Sequence, residues 1–244
     1  MKIKHIAQEF LDQSTHQKME RSDQSKGLTQ PPLQMAYTQE LIHLPQMSDI
    51  DIPNIDLKTA MMQRVSVRSY PNKALSLESL SYLLYMTQGV KSTKDNKHTL
   101  RVVPSAGARH AFETYIVIKN VEGLKPGLYR YLALEHKLIC LKSEHDFSKK
   151  LRHACFDQIS VDEASVTLIW VADQYRMTYR YGLRGYRYLF LDAGHVSQNA
   201  YLVAQQLGCG ACAINAFDDE QVNALLALDG IQQFAIHMAT IGHL

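Results

Sequence analysis

Residues Leu189–Phe217 read LFLDAGHVSQNAYLVAQQLGCGACAINAF. Leu189, Ala193, Val196, Ala200, Val203 and Leu207 recur at spacings of 4, 3, 4, 3 and 4. That is the period of a helix buried along one face. Gly208 ends the run, and the chain changes character at once. Gly208-Cys209-Gly210 is a glycine-rich turn, and Ala211–Phe217 is a short, mostly apolar segment. The stretch predicts a long helix leading directly into that segment.

Working outward, Asp218 with Gln221 forms a capping pair for a helix over Val222–Leu228, closed by Gly230. Phe234–Ile241 reads as an apolar strand. Upstream, Ser165–Val171 (SVTLIWV) is an apolar run of strand length, predicted to be central and buried. Glu113–Lys119, Gly127–Leu132 and Lys137–Leu141 read as strands, and Asp146–Phe156 as a helix. Ser76 is a natural N-cap, with Glu78 in the first turn, an apolar stripe of Leu77, Leu80 and Leu84, and Gly89 at the close. Residues 91–100 read as a polar loop. Strands and helices mix without strict alternation, which predicts α+β rather than a doubly wound sheet.

Residues 1–60 differ from the rest. They are polar and carry Pro31, Pro32, Pro45 and Pro53, which forbid long helices. A short helix over Lys4–Leu11 is expected, then an extended arm that wraps a surface. The division is an arm over 1–60 and a domain over 61–244. The chain has 244 residues, 46% of them hydrophobic, which suffices for a sizeable core. A net charge of +2 demands neither nucleic acid nor an anionic membrane. Four cysteines and nine methionines fit a reducing compartment. No run approaches the ~20 apolar residues of a membrane helix, and the start lacks a signal-peptide core. The expectation is a cytoplasmic protein.

Several groups could carry chemistry. In Met62–Tyr70 (MQRVSVRSY), Arg64, Ser66 and Arg68 alternate with Val65 and Val67. An extended backbone would put two guanidiniums and a hydroxyl on one side, suited to a phosphate, and bury both valines on the other. The plainer reading is an edge strand with surface arginines. Pro104-Ser105-Ala106-Gly107 is either a close-approach loop for a flat ligand or an ordinary turn. Arg176, Arg180, Arg184 and Arg187 would share a helix face, with tyrosines between them, but Gly182 and Gly185 interrupt it. That segment suits a phosphorylated cofactor, a substrate carboxylate or stacked Arg–Tyr pairs, with nucleic acid ranked last. Cys209 and Cys212 read as small buried residues, not as a redox or zinc pair. Asp192 and His195, three apart on the helix, could pair. No metal site is indicated.

Taken in order, the arginine-serine-arginine anchor, the Pro-Ser-Ala-Gly loop and the long helix into Gly-Cys-Gly-Ala-Cys-Ala-Ile-Asn-Ala-Phe resemble the nitroreductase superfamily of FMN-dependent oxidoreductases. The likeness is nearest to the SagB-type branch, which includes the azoline dehydrogenases. Leu75–Leu80, Thr87–Val90, Pro104–His110, Gly127–Tyr131, Tyr181–Arg187 and Asp192–Asn199 carry it, across roughly residues 10–242. The resemblance implies a mostly antiparallel sheet flanked by helices, in an interface-swapped homodimer with FMN between subunits. It implies that Arg64, Ser66 and Arg68 grip the phosphate and the polar flavin edge. It places Pro104, Ser105, Ala106 and Gly107 against the flavin of the second subunit, and Ile214, Asn215 and Ala216 beside flavin N5. His243 stands where Lys or Arg commonly reaches the phosphate, and Val65 where a second basic residue is frequent. Azoline dehydrogenases carry a Lys-Tyr pair where this chain has Arg180-Tyr181, so proton handling falls to Tyr181, with Arg180 orienting an anionic or carbonyl group.

Two functions follow. One is ping-pong hydride transfer from NAD(P)H or an organic donor to a second acceptor. The alternative is azoline oxidation on a peptide, or a non-enzymatic scaffold in such a complex.

Overall fold

The structure, a computed structural model, describes residues 2–95 and 97–244. In chain order the elements are α1 (Lys2–Gln13), β1 (Leu41–His43), α2 (Leu57–Gln63), α3 (Leu77–Gln88), β2 (Val90–Lys94), β3 (His98–Arg101), β4 (Phe112–Ile118), β5 (Gly127–Leu132) and β6 (Lys137–Ser143). There follow α4 (Phe147–Ala154), α5 (Ile159–Glu163), β7 (Val166–Asp173), α6 (Gln174–Tyr181), α7 (Gly185–Gln206), β8 (Cys209–Ile214), α8 (Asp219–Leu225) and β9 (Gln233–His243).

Seven strands form one sheet in the order β1-β6-β5-β4-β7-β9-β8, and the pairings between them are antiparallel. β7 shows why it takes the centre. Val166, Leu168, Trp170 and Ala172 face one side, Ile169 and Val171 the other, and all are buried. A strand apolar on both faces must be covered on both. On one side Leu189, Val196 and Ala200 of α7 and Leu80 and Leu84 of α3 pack against the first set. On the other, Phe147 and Leu151 of α4, Val161 of α5 and Val222 of α8 pack against the second. The α+β class and the helix-flanked antiparallel sheet are as the sequence implied. No helix among the described residues is long and apolar enough to cross a membrane.

Residues 91–100, read as a polar loop, instead contribute to a hairpin of β2 and β3. Its outer side chains are solvated, so it lacks the apolar alternation that marks a half-buried strand. The arm lies on its own chain. The Gln24 N–H donates to the Tyr179 carbonyl at 2.9 Å. Arg130 donates to the carbonyls of Met35 and Ala36 at 3.2 and 2.9 Å, and the Ser81 hydroxyl to that of Pro45 at 2.7 Å. β1 then adds the outer strand beside β6.

Candidate functional site

Asp56 caps α2 by accepting from the Thr59 N–H at 2.9 Å, and the helix ends at Gln63. The next residues reach the free edge of β8. Ser66 pairs with Ala211 in a parallel bridge, and the Val67 N–H donates to the Ala211 carbonyl at 2.9 Å. Val67 leans on Gly210, where a Cβ would come within 2.6 Å of it, so glycine makes this approach feasible. Val65 departs from expectation: it is 58% exposed. The strip lies past the last strand, and among the described residues nothing covers Val65 on that side.

Tyr201 of α7 ties the strip down. Its hydroxyl accepts from the Ala213 N–H at 2.7 Å and lies 3.0 Å from the Ser66 Oγ. The Arg64 guanidinium sits 5.2 Å from the centre of the Tyr201 ring. Arg68 donates to the Ser66 carbonyl at 3.4 Å. The ion pairs among the described residues include neither Arg64 nor Arg68. His243 stands at the end of β9, its Nε2 3.1 Å from the Ala74 carbonyl.

β8 leads from this strip into Ile214–Ala216. The Asn215 side chain is bonded to Nδ1 of His237, whose Nε2 lies 2.8 Å from the Ser197 hydroxyl. The His237 ring stacks on Trp170 at 5.4 Å. Burial lowers the His237 pKa to about 4, so the ring is neutral at pH 7 and relays two hydrogen bonds without charge. Gln158 donates to the Ala216 carbonyl at 2.8 Å. Ser197 and Tyr201, four apart on one flank of α7, and His237 are residues that sequence reading passed over. The available signal was the i,i+4 spacing of Ser197 and Tyr201, each one residue beyond the apolar positions Val196 and Ala200, at the border of the buried stripe.

The Pro104–Gly107 loop meets the opposite flank. Ser105 donates to Asp192 at 2.6 Å, and the Ala106 N–H to the same carboxylate at 3.2 Å. Asp192 is thus spent on the loop, while His195 is exposed, and the suggested pairing of the two is not made. Gly107 has φ +58°, and a Cβ there would stand 2.3 Å from the Tyr181 hydroxyl and 3.2 Å from Arg180 Nε. The loop, Arg180 and Tyr181 are therefore one cluster. Tyr181 meets Tyr188 edge to face at 4.8 Å. It also lines a cleft of about 430 Å³ between Lys18–Lys26 of the arm and the turn at Gly182–Arg184.

The four arginines of this region do not share a face. α6 stops at Tyr181 and Gly182 turns at φ +51°. Arg176 is buried against Glu113 at 2.6 Å, and Arg184 and Arg187 hold Ser14 of the arm. Cys209 and Cys212 are buried and free; three apart on a strand, they point to opposite faces and join different halves of the core. Asp192 and Tyr201, nine residues apart, lie about 13 Å apart along α7 and on opposite flanks. Within one chain the Arg64–Arg68 strip and the Gly107–Tyr181 cluster therefore stand apart.

The nitroreductase family model matches residues 61–243. A protein of Methanocaldococcus jannaschii named as a nitroreductase is 33% identical over 192 residues, 79% of this chain and 93% of that protein. The trifolitoxin-processing protein TfxB of Rhizobium leguminosarum bv. trifolii is 27% identical over 167 residues, 65% of this chain and 45% of its own length. A crystal structure of an Anabaena variabilis protein, also named as a nitroreductase, superposes with a TM-score of 0.67 at 31% identity; the match covers 77% of this chain and 38% of that longer one.

Proposed function

The chain belongs to the nitroreductase family, and on that premise we propose that it is an oxidoreductase holding FMN between two copies of itself and passing hydride from NAD(P)H or an organic donor to a second acceptor. One observation carries the reading. Arg64 and Arg68, without ion-pair partners among the described residues, lie on the same sheet edge that runs three residues later from Ala211 into Ile214–Ala216. A phosphate grip and a row of backbone N–H groups thereby share one edge.

The residues fit the cofactor. Two uncompensated guanidiniums suit a phosphate, with the Ser66 hydroxyl between them. His243, bonded to Ala74, is already engaged and is not counted as a third arm. When bound, the flavin supplies the hydride-accepting ring. The backbone at Ile214, Asn215 and Ala216, steadied through His237, offers N–H donors to developing charge. Pro104–Gly107, lying apart from the strip in its own chain, lines the site of the second copy. Tyr181 gives or takes a proton at its phenol oxygen, and Arg180 orients the substrate. The second copy has a face to occupy: Leu57, Met61, Met62 and Val65 around α2, and Phe190 and Leu191 on α7, are exposed.

A second reading, azoline oxidation on a peptide, is favoured by the likeness to a trifolitoxin-processing protein. The cleft beside Tyr181, walled by the charged arm, suits a polymeric substrate. Protein purified without added cofactor should be yellow, absorb near ~450 nm and bleach with NAD(P)H, because flavin carries the redox step. Bleaching by a thiazoline and not by NAD(P)H selects the second reading. Colourless protein that takes up no added FMN refutes both. Arg64→Ala should weaken FMN retention, and unchanged occupancy removes Arg64 from the grip.

A further inference from the structure

Arg109 follows the Gly107 turn by two residues and is only 2% exposed. Its Nε and Nη1 are enclosed and have no hydrogen-bond partner. Its guanidinium lies 5.8 Å from the centre of the Tyr179 ring. Arg109 and Arg180 take part in none of the ion pairs among the described residues. The Gly107 turn brings them near one another, since a Cβ there would stand 3.2 Å from Arg180 Nε; burial, and next the Arg180 charge, lower the Arg109 pKa. Two like charges beside each other, one of them enclosed, destabilise a fold unless something negative neutralises them. Among the described residues no carboxylate pairs with either guanidinium, and Asp192, beside the same loop, is bonded to Ser105 and the Ala106 N–H.

We propose that Arg109 and Arg180 form a two-guanidinium site for the carboxylate of an organic substrate. Arg180 and the Tyr181 hydroxyl, both partly exposed, make the contacts, and Arg109 behind them adds its charge. Gly107 provides the flat floor, since a Cβ there would fill the space beside Arg180 Nε and the Tyr181 hydroxyl. A guanidinium edge and a carboxylate match as planar forks. A charge in an enclosed, low-dielectric position acts more strongly than one in water. The site rests on the reading of Tyr181 and Arg180 as substrate-facing, and adds to it the substrate's chemical class.

The test is the thermal midpoint of the full-length protein titrated with benzoate, with benzamide and with inorganic phosphate, while absorbance reports flavin content. Benzoate should raise the midpoint, and benzamide of the same shape should not. Arg180→Met should weaken benzoate at least about tenfold, as loss of a charge partner does. Arg109→Met should also weaken it, and should raise the midpoint of the ligand-free protein by removing an unneutralised buried charge. A structural role would do the opposite, so a lowered midpoint with benzoate affinity intact overturns the proposal. Equal response to benzoate and benzamide overturns it too, as does an Arg180→Met variant that loses its phosphate response along with its benzoate response. Flavin present with no benzoate preference defeats this inference alone; failure to take up added FMN defeats the cofactor reading and leaves the titration readable.

Discussion

Gly107→Ala is the most informative single change. The new methyl carbon would stand 2.3 Å from the Tyr181 hydroxyl, where ordinary contact begins at 3.4 Å. The hydroxyl must therefore withdraw by about 1 Å. What it meets is the tip of a side chain, not backbone, so the fold survives. The positive φ adds about 1 kcal/mol of strain for a residue with a Cβ. In a chain of this size that is about 2–4 °C of midpoint. Activity should suffer far more, because a displacement of about 1 Å at a reacting group can lower turnover about 100-fold. The assay is the rate of reoxidation of the reduced protein by acceptor, normalised to bound flavin. Combining Gly107→Ala with Tyr181→Phe removes the hydroxyl, leaving Arg180 Nε and Tyr181 Cζ as the nearest atoms at 3.2 Å. The double variant should regain part of the lost stability and none of the lost rate. Wild-type turnover in Gly107→Ala would refute the placement of Tyr181 at the reacting centre.

Tyr201→Phe keeps the ring under Arg64 but removes the hydroxyl that joins Ser66 to Ala213, leaving a part-buried N–H without that acceptor. Urea denaturation should show a loss of about 2 kcal/mol, together with weaker flavin retention; unchanged values would show the tie to be dispensable. Acid should destabilise the fold before the carboxylates titrate. Burial lowers His237 to about 4, and burial and then the Arg101 charge lower His110 to about 3. Unfolded histidine titrates near ~6.5, so below that pH the unfolded chain takes up protons that the folded one refuses. Stability should be full above about pH 7 and fall as pH drops through ~6.5, by up to about 1.4 kcal/mol per unit per histidine. Denaturant midpoints at pH 7.0, 6.2 and 5.5 read the slope, and a flat profile would contradict the burial of both rings.

Much of the fold was legible because apolar period and caps report it directly. The α7 stripe, the Ser76 and Asp218 caps and the doubly apolar β7 all stand where the sequence put them. The β2–β3 hairpin escaped because its outward residues are solvated and leave no alternation to read. At the site, the residue types were visible but their partners were not. Asp192 looked like a companion for His195, three residues away; a loop some ninety residues earlier in the chain claims it instead. The His237–Asn215–Ser197 chain joins three elements distant in sequence, which no spacing rule reveals.

The strip from Arg64 to Tyr70 has a second consequence. It covers the outer edge of β8, whose sequence CGACAI carries neither charge nor proline. A bare, uncharged edge strand is a template for pairing with other chains. Its guard is fastened by one bridge to Ala211, by the Ser66–Tyr201 hydroxyl contact and by Tyr70, whose hydroxyl reaches Thr240 at 2.9 Å and whose N–H donates to Glu163 at 3.1 Å. Those fastenings span 135 residues at Ser66–Tyr201 and 170 at Tyr70–Thr240. Loop-closure entropy makes such distant contacts among the last to form. A chain emerging from synthesis therefore holds β8 uncovered until late. A phosphate clasped by Arg64 and Arg68 would keep that seam shut, so loss of the ligand should appear first as self-association rather than as unfolding.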